Sequence, residues 1–126
     1  MKTIIHTDKA PPAAGPYSQA VTANGFVYTA GQIGTNPATR QFAGSTVEEQ
    51  TRQVLNNLVA VLEAAGCTFA DVIKATVFLS DMNNFAAMNA IYSEYFQTNP
   101  PARSTVQVAR LPLDALVEIE LVAALP

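Results

Sequence analysis

The chain has 126 residues, with seven basic and ten acidic side chains and a net charge of −3; 49% of its residues are hydrophobic and only 13% charged. There is no basic run to give an electrostatic footprint for nucleic acid and no apolar run long enough to span a bilayer. One histidine and one cysteine, far apart in sequence, argue against a transition-metal site. The lone Cys67 cannot close an internal disulfide and no signal-peptide pattern is present, which points to the cytoplasm.

Low charge is unexpected in so small a chain, whose surface is large for its volume. Burial of part of that surface against copies of the same chain resolves the conflict, and such assemblies are usually symmetric.

Taken in order, Thr3-Ile4-Ile5-His6 reads as a short edge strand. Ala10 to Pro16 is a stiff loop carrying Pro11, Pro12, Gly15 and Pro16. Tyr17–Thr22 and Phe26–Ala30 are expected strands, joined at Asn24-Gly25, a pair that favours positive φ at both turn positions. Gly31 marks a bulge or a close backbone approach. Asn36–Gly44 is a surface loop with an extended piece at Phe42.

Ser45 and Glu48 have capping-box spacing and open the first helix. Val47, Val54, Leu55, Leu58, Val61, Leu62 and Ala65 form its apolar stripe, and Gly66 suits the position after its end. Val72–Leu79 is a strand with neither face clearly polar, expected to be central and covered on both sides. A second helix over 84–98 is expected to bury Phe85, Met88, Tyr92 and Phe96, with Asn89 on the same inward face.

Two strands close the chain. Arg103 stands at the mouth of the first, after Pro100-Pro101; the second, Val117–Leu121, sets Glu118 and Glu120 opposite its apolar residues. The order β-β-β-α-β-α-β-β predicts one domain over residues 1–126, an α+β fold of two layers with both helices on one face of a mixed sheet. Val21, Val27, Val77 and Val106 are candidates to line the other face, against another subunit.

Arg103 is the residue on which a functional reading turns. A guanidinium matches a carboxylate with two parallel bonds and keeps its charge. The competing reading is a structural ion pair with one of the ten acids. Glu118 and Glu120 read either as charges guarding a solvent-facing strand or as carboxylates of altered proton affinity on a face buried in an oligomer. Tyr17 reads as core packing with its hydroxyl at the rim, Asn89 as a capping or tertiary bond, and Cys67 as a passive small residue.

Gly15-Pro16-Tyr17-Ser18-Gln19-Ala20, Gly31-Gln32-Ile33, Ala102-Arg103-Ser104, Val108-Ala109-Arg110-Leu111-Pro112 and Val117-Glu118-Ile119-Glu120 together resemble the RidA (YjgF-type) family of reactive-intermediate deaminases. The helix sequence Asn-Phe-Ala-Ala-Met-Asn and the strand end Val-Phe-Leu-Ser-Asp-Met match as well, collinearly over essentially the whole chain.

The resemblance implies a homotrimer of chorismate-mutase-like domains, with the sheets as a central β-barrel and a cleft between each pair of subunits. It implies hydrolysis of 2-imino and 2-enamino acids such as 2-aminoacrylate, 2-iminobutanoate and 2-iminopropanoate to 2-keto acids and ammonia, without a cofactor or a metal. In that reading Arg103 clamps the substrate carboxylate and Glu118 handles water and protons, while Tyr17, Gly31, Asn89 and Thr105 line the cleft. Thr105 replaces a cysteine common in the family, so thiol chemistry is excluded there. Rival readings are a non-catalytic module binding small carboxylates, a ribonuclease or translation inhibitor, which the acidic charge disfavours, and a chaperone-like holdase.

Overall fold

The computed structural model describes residues 1–126. Its strands are β1 (Thr3–Ile5), β2 (Ala20–Ala23), β3 (Phe26–Thr29), β4 (Gln32–Ile33), β5 (Val72–Leu79), β6 (Ala102–Gln107) and β7 (Val117–Ala124). The helices are α1 (Val47–Ala64) and α2 (Phe85–Tyr95). The strands form one mixed sheet in the order β1-β2-β3-β7-β5-β6, with β4 also paired to β7. β5 and β6 run parallel and every other pair is antiparallel. The fold is therefore α+β, as expected, and neither helix is long and apolar enough to cross a membrane.

The β2–β3 turn forms as expected, with Asn24 at φ 53° and Gly25 at φ 85°. The first helix starts one residue later than its sequence indicates. Thr46, not Ser45, caps it, and its hydroxyl and the Glu49 side chain bond reciprocally to each other's backbone N–H. Gly66 follows the helix at φ 84°. The α1 stripe packs on the inward residues of β5 (Ala75, Val77, Leu79) and β7 (Val117, Ile119, Leu121, Ala123), with Met88 and Tyr92 of α2 completing the core.

Other boundaries differ from expectation for local reasons. Tyr17 starts no strand; it lies in a bend, and β2 begins at Ala20. The Gln19 amide fixes this segment, accepting from the Thr7 N–H at 2.8 Å and donating to the carbonyls of Thr7 (3.0 Å) and Pro11 (2.8 Å). α2 stops at Tyr95 rather than Thr98, because Phe96 leaves helical geometry and Asn99, at φ 49°, precedes Pro100. Phe85 opens that helix exposed instead of buried.

The sheet's second face is open. Val27 and Val77 belong to the helix-side core, fully buried, and so do not line it. Ile4, Val21, Tyr28, Val122 and Val106 do, by alternation along their strands. Ile4, Tyr28 and Val106 are 54%, 45% and 44% exposed. Central β5 is thus covered on one side only, with Lys74, Thr76 and Phe78 half-buried on the other.

Candidate active site

Arg103 is aligned with Ala75 of β5, which faces the core, so its side chain leaves the sheet toward α2. Phe85, Asn89 and Tyr92 are spaced four and three residues apart and share one helix face. The guanidinium carbon lies 4.6 Å from the Tyr92 ring centroid and 5.6 Å from that of Phe85. One N–H donates to Asn89 Oδ1 at 2.7 Å. These cation–π contacts and one hydrogen bond hold the group without neutralising it.

No carboxylate forms an ion pair with Arg103; the chain's ion pairs are His6–Asp8, Arg52–Glu94 and Arg110–Asp114. Within one chain, then, Arg103 has no structural ion pair. A guanidinium has five N–H donors, and the Asn89 bond uses one of them. Burial pushes the Tyr92 phenol up, against the opposing effect of Arg103. The Tyr92 and Thr105 hydroxyls beside it are buried and make no hydrogen bond.

Glu118 stands in different surroundings. It pairs across the sheet with Phe78 and Ile33 and so projects from the open face. Between Tyr28 and Gln32 the chain inserts a bulge: Thr29, Ala30 and Gly31 stand opposite only Glu120 and Leu121. The Thr29 hydroxyl accepts the Leu121 N–H at 2.9 Å, and the Ala30 N–H turns to the Gln19 carbonyl at 2.9 Å. The bulge brings Gly31 against the Glu118 carboxylate so closely that a Cβ there would collide with it. Both sequence readings of Gly31, bulge and close approach, are realised together.

Glu118 is half-buried and forms neither an ion pair nor a hydrogen bond. Burial raises its pKa above the ordinary 4.5, and the neighbouring Glu120 charge adds to the rise. Glu120 itself is exposed. Tyr17 is 53% exposed, and its hydroxyl accepts the Ala14 N–H at 3.2 Å. With Gly31 it lines a cavity of about 290 Å³ between the proline-rich loop and the loop after β4.

The expected site residues thus fall into two groups. Arg103, Asn89 and Thr105 are on the helix side of the sheet; Glu118 projects from the opposite face, beside Gly31 and the Tyr17 cavity. Nor are the strands of Arg103 and Glu118 neighbours, since β5 lies between β6 and β7. One chain does not bring the arginine and the acid together. Sequence reasoning assigned Phe85 and Tyr92 to the core and so missed their place around Arg103. Their spacing about Asn89 was the available signal. Arg40, in the loop after β4, also lines the Tyr17 cavity.

Comparison with known proteins adds four findings. Residues 7–125 match the family described as Endoribonuclease L-PSP. The chain is 58% identical over 125 residues to a RutC family protein of Synechocystis, covering 98% of this chain and 96% of the relative. It is 49% identical over 123 residues to the 2-iminobutanoate/2-iminopropanoate deaminase of Capra hircus, covering 98% and 90%. The crystal structure of a Rid family protein of unknown function from Yersinia pestis superposes with a TM-score of 0.97 at 49% identity, over 99% of this chain and all of the other.

Proposed function

The chain belongs to the L-PSP family, the YjgF/RidA proteins, and from that premise we propose that it hydrolyses 2-imino and 2-enamino acids to 2-keto acids and ammonia at a site shared between two copies of the chain. The observation that carries this reading is Arg103: a cation seated by α2, free of any acid, with most of its donors unused. Relatives named as imine deaminases support the reaction class, and 2-iminobutanoate, 2-iminopropanoate and 2-aminoacrylate are the proposed substrates.

The chemistry follows from the two groups. Arg103 takes the substrate carboxylate on its fork of donors and fixes the orientation of the imine carbon. An enamine first gains a proton at its terminal carbon and becomes the imine. Protonation of the imine nitrogen makes its carbon electrophilic, and Glu118 as carboxylate draws a proton from the attacking water. The new C–O bond gives a carbinolamine. Proton transfer to nitrogen and cleavage of the C–N bond then release ammonia and leave the keto acid. General acid–base help of about 10²–10⁴-fold is within what one positioned carboxylate contributes.

The two groups lie on opposite faces of one sheet, so the open apolar face is where a second copy would dock and bring its arginine to Glu118. A homotrimer with three such clefts is the proposed assembly. The family description names an endoribonuclease, but a net charge of −3 and the absence of a basic stripe disfavour RNA as substrate.

Complementation tests the reading. Arg103→Ala and Glu118→Gln are each expected to be inactive when pure, measured as keto-acid release from 2-aminoacrylate formed in situ. Co-expressed in equal amounts, they should recover about a quarter of wild-type activity, because random closed assembly recreates some clefts with both residues intact. A wild-type protein no faster than buffer overturns the activity. A co-expressed mixture as inactive as its parents overturns the shared site.

A further inference from the structure

We propose that Arg40 makes this cleft selective for imino and keto acids that carry a second carboxylate, such as those with an acidic side chain. This deepens the reading of the site given above and rests on it.

The loop after β4 is tightly built. Thr35 bridges to Phe42, the Asn36 N–H donates to the Gln41 carbonyl at 2.8 Å, and the Asn36 side chain accepts the Ala38 N–H at 2.8 Å. At its tip the Arg40 N–H donates to the Asn36 carbonyl at 2.8 Å, and Arg40 has φ 65°. That is left-handed backbone, in which glycine is unstrained and a long side chain is not. A strained residue held by its surroundings points to a use for its side chain.

The side chain of Arg40 forms no ion pair. It is the only charged residue lining the cavity that Tyr17 and Gly31 also line, and the neighbouring wall is apolar, from Pro11, Pro12, Ala13 and Ala14. At about 290 Å³ the cavity is at the small end of ligand pockets. One cation on a tightly held backbone, beside apolar walls and with no carboxylate to offset it, favours an anionic group there. Gly31 lines this cavity and also stands against the Glu118 carboxylate. A ligand with its first carboxylate on Arg103 and its reacting carbon at Glu118 can therefore extend a second carboxylate toward Arg40. Ligands with a short alkyl tail place nothing on that charge.

The test is binding of the reaction products, which needs no turnover. Calorimetry compares 2-oxoglutarate with 2-oxobutanoate on the wild type, on Arg40→Gly and on Arg103→Ala. Glycine suits φ 65°, so Arg40→Gly removes the cation while relieving the backbone. Wild type is expected to bind 2-oxoglutarate more tightly, and Arg40→Gly to cut the ratio of affinities about tenfold, the scale of one charge-assisted bond. Arg40→Glu should reverse the preference. A ratio within about twofold of wild type in Arg40→Gly overturns the role of Arg40 and leaves the site standing, provided Arg103→Ala has lost both ligands. Wild type that binds neither acid overturns the site and this inference with it.

Discussion

Arg103 and Glu118 are held in opposite ways. Arg103 is fixed by its own chain: a helix supplies two rings and an amide, and the sheet supplies the backbone beneath. Glu118 is bonded to nothing, and a glycine stands against it where any side chain would intrude. The first arrangement suits binding, since a pre-oriented charge loses little freedom when a carboxylate arrives. The second suits proton transfer, since a carboxylate raised by burial holds and releases a proton nearer neutrality. Neither is a site by itself, and the sheet between them keeps one chain from joining the two.

The largest expected effect is on the reactive half. Glu118→Gln keeps the shape of the side chain and removes its base, so kcat should fall about 10²–10⁴-fold with little change in KM. Steady-state rates on 2-iminopropanoate generated in situ would measure this. A variant that keeps more than about half of wild-type kcat would show that another group moves the protons.

The binding half should respond more gently and in the other constant. Asn89→Ala removes the one hydrogen bond that orients Arg103 but leaves the Tyr92 and Phe85 rings in place. Loss of one such bond costs about 1–2 kcal/mol, so KM should rise roughly five- to thirtyfold while kcat changes little. If Asn89→Ala instead lowered kcat alone, Asn89 would act on the reaction and not through Arg103.

The same contrast explains what the sequence could reveal. The helices, the Asn24-Gly25 turn and the full length of β5 follow from period, caps and turn chemistry, all of which are local. Strand neighbours are not local. Arg103 and Glu118 belong to consecutive strands of the sequence, yet β5 pairs with both β6 and β7 and separates them. Which face a valine takes is also set by register, so Val27 and Val77 read the same as Val21 and Val106 although they point the other way. The candidate site was legible as a set of residues through the family pattern. Its division between two faces was not, because only the pairing of strands assigns a side chain to a face. The aromatic residues around Arg103 were hidden because an aromatic on an inward helix face packs as core whether or not a cation lies on it.

The smallest effect tests whether the two halves meet, and it reads stability instead of rate. Glu118 has its pKa raised in the folded chain, chiefly by burial and then by Glu120. Below the ordinary value of 4.5 it is protonated folded and unfolded alike and favours neither state. As pH rises through its folded pKa, the unfolded chain has already released the proton, so folding loses stability. Glu118→Gln has no proton to release. Its advantage over wild type in urea unfolding, at fixed protein concentration, should therefore be near zero in acid and grow toward neutral pH. If a second copy brings Arg103 to Glu118, that cation opposes the rise. Removing it by Arg103→Ala should make the pH-dependent advantage of Glu118→Gln larger, because the carboxylate then loses its nearest compensating charge. Equal advantages in the two backgrounds would mean that Arg103 and Glu118 do not face each other in the assembled protein, and the shared cleft would have to be built from other residues.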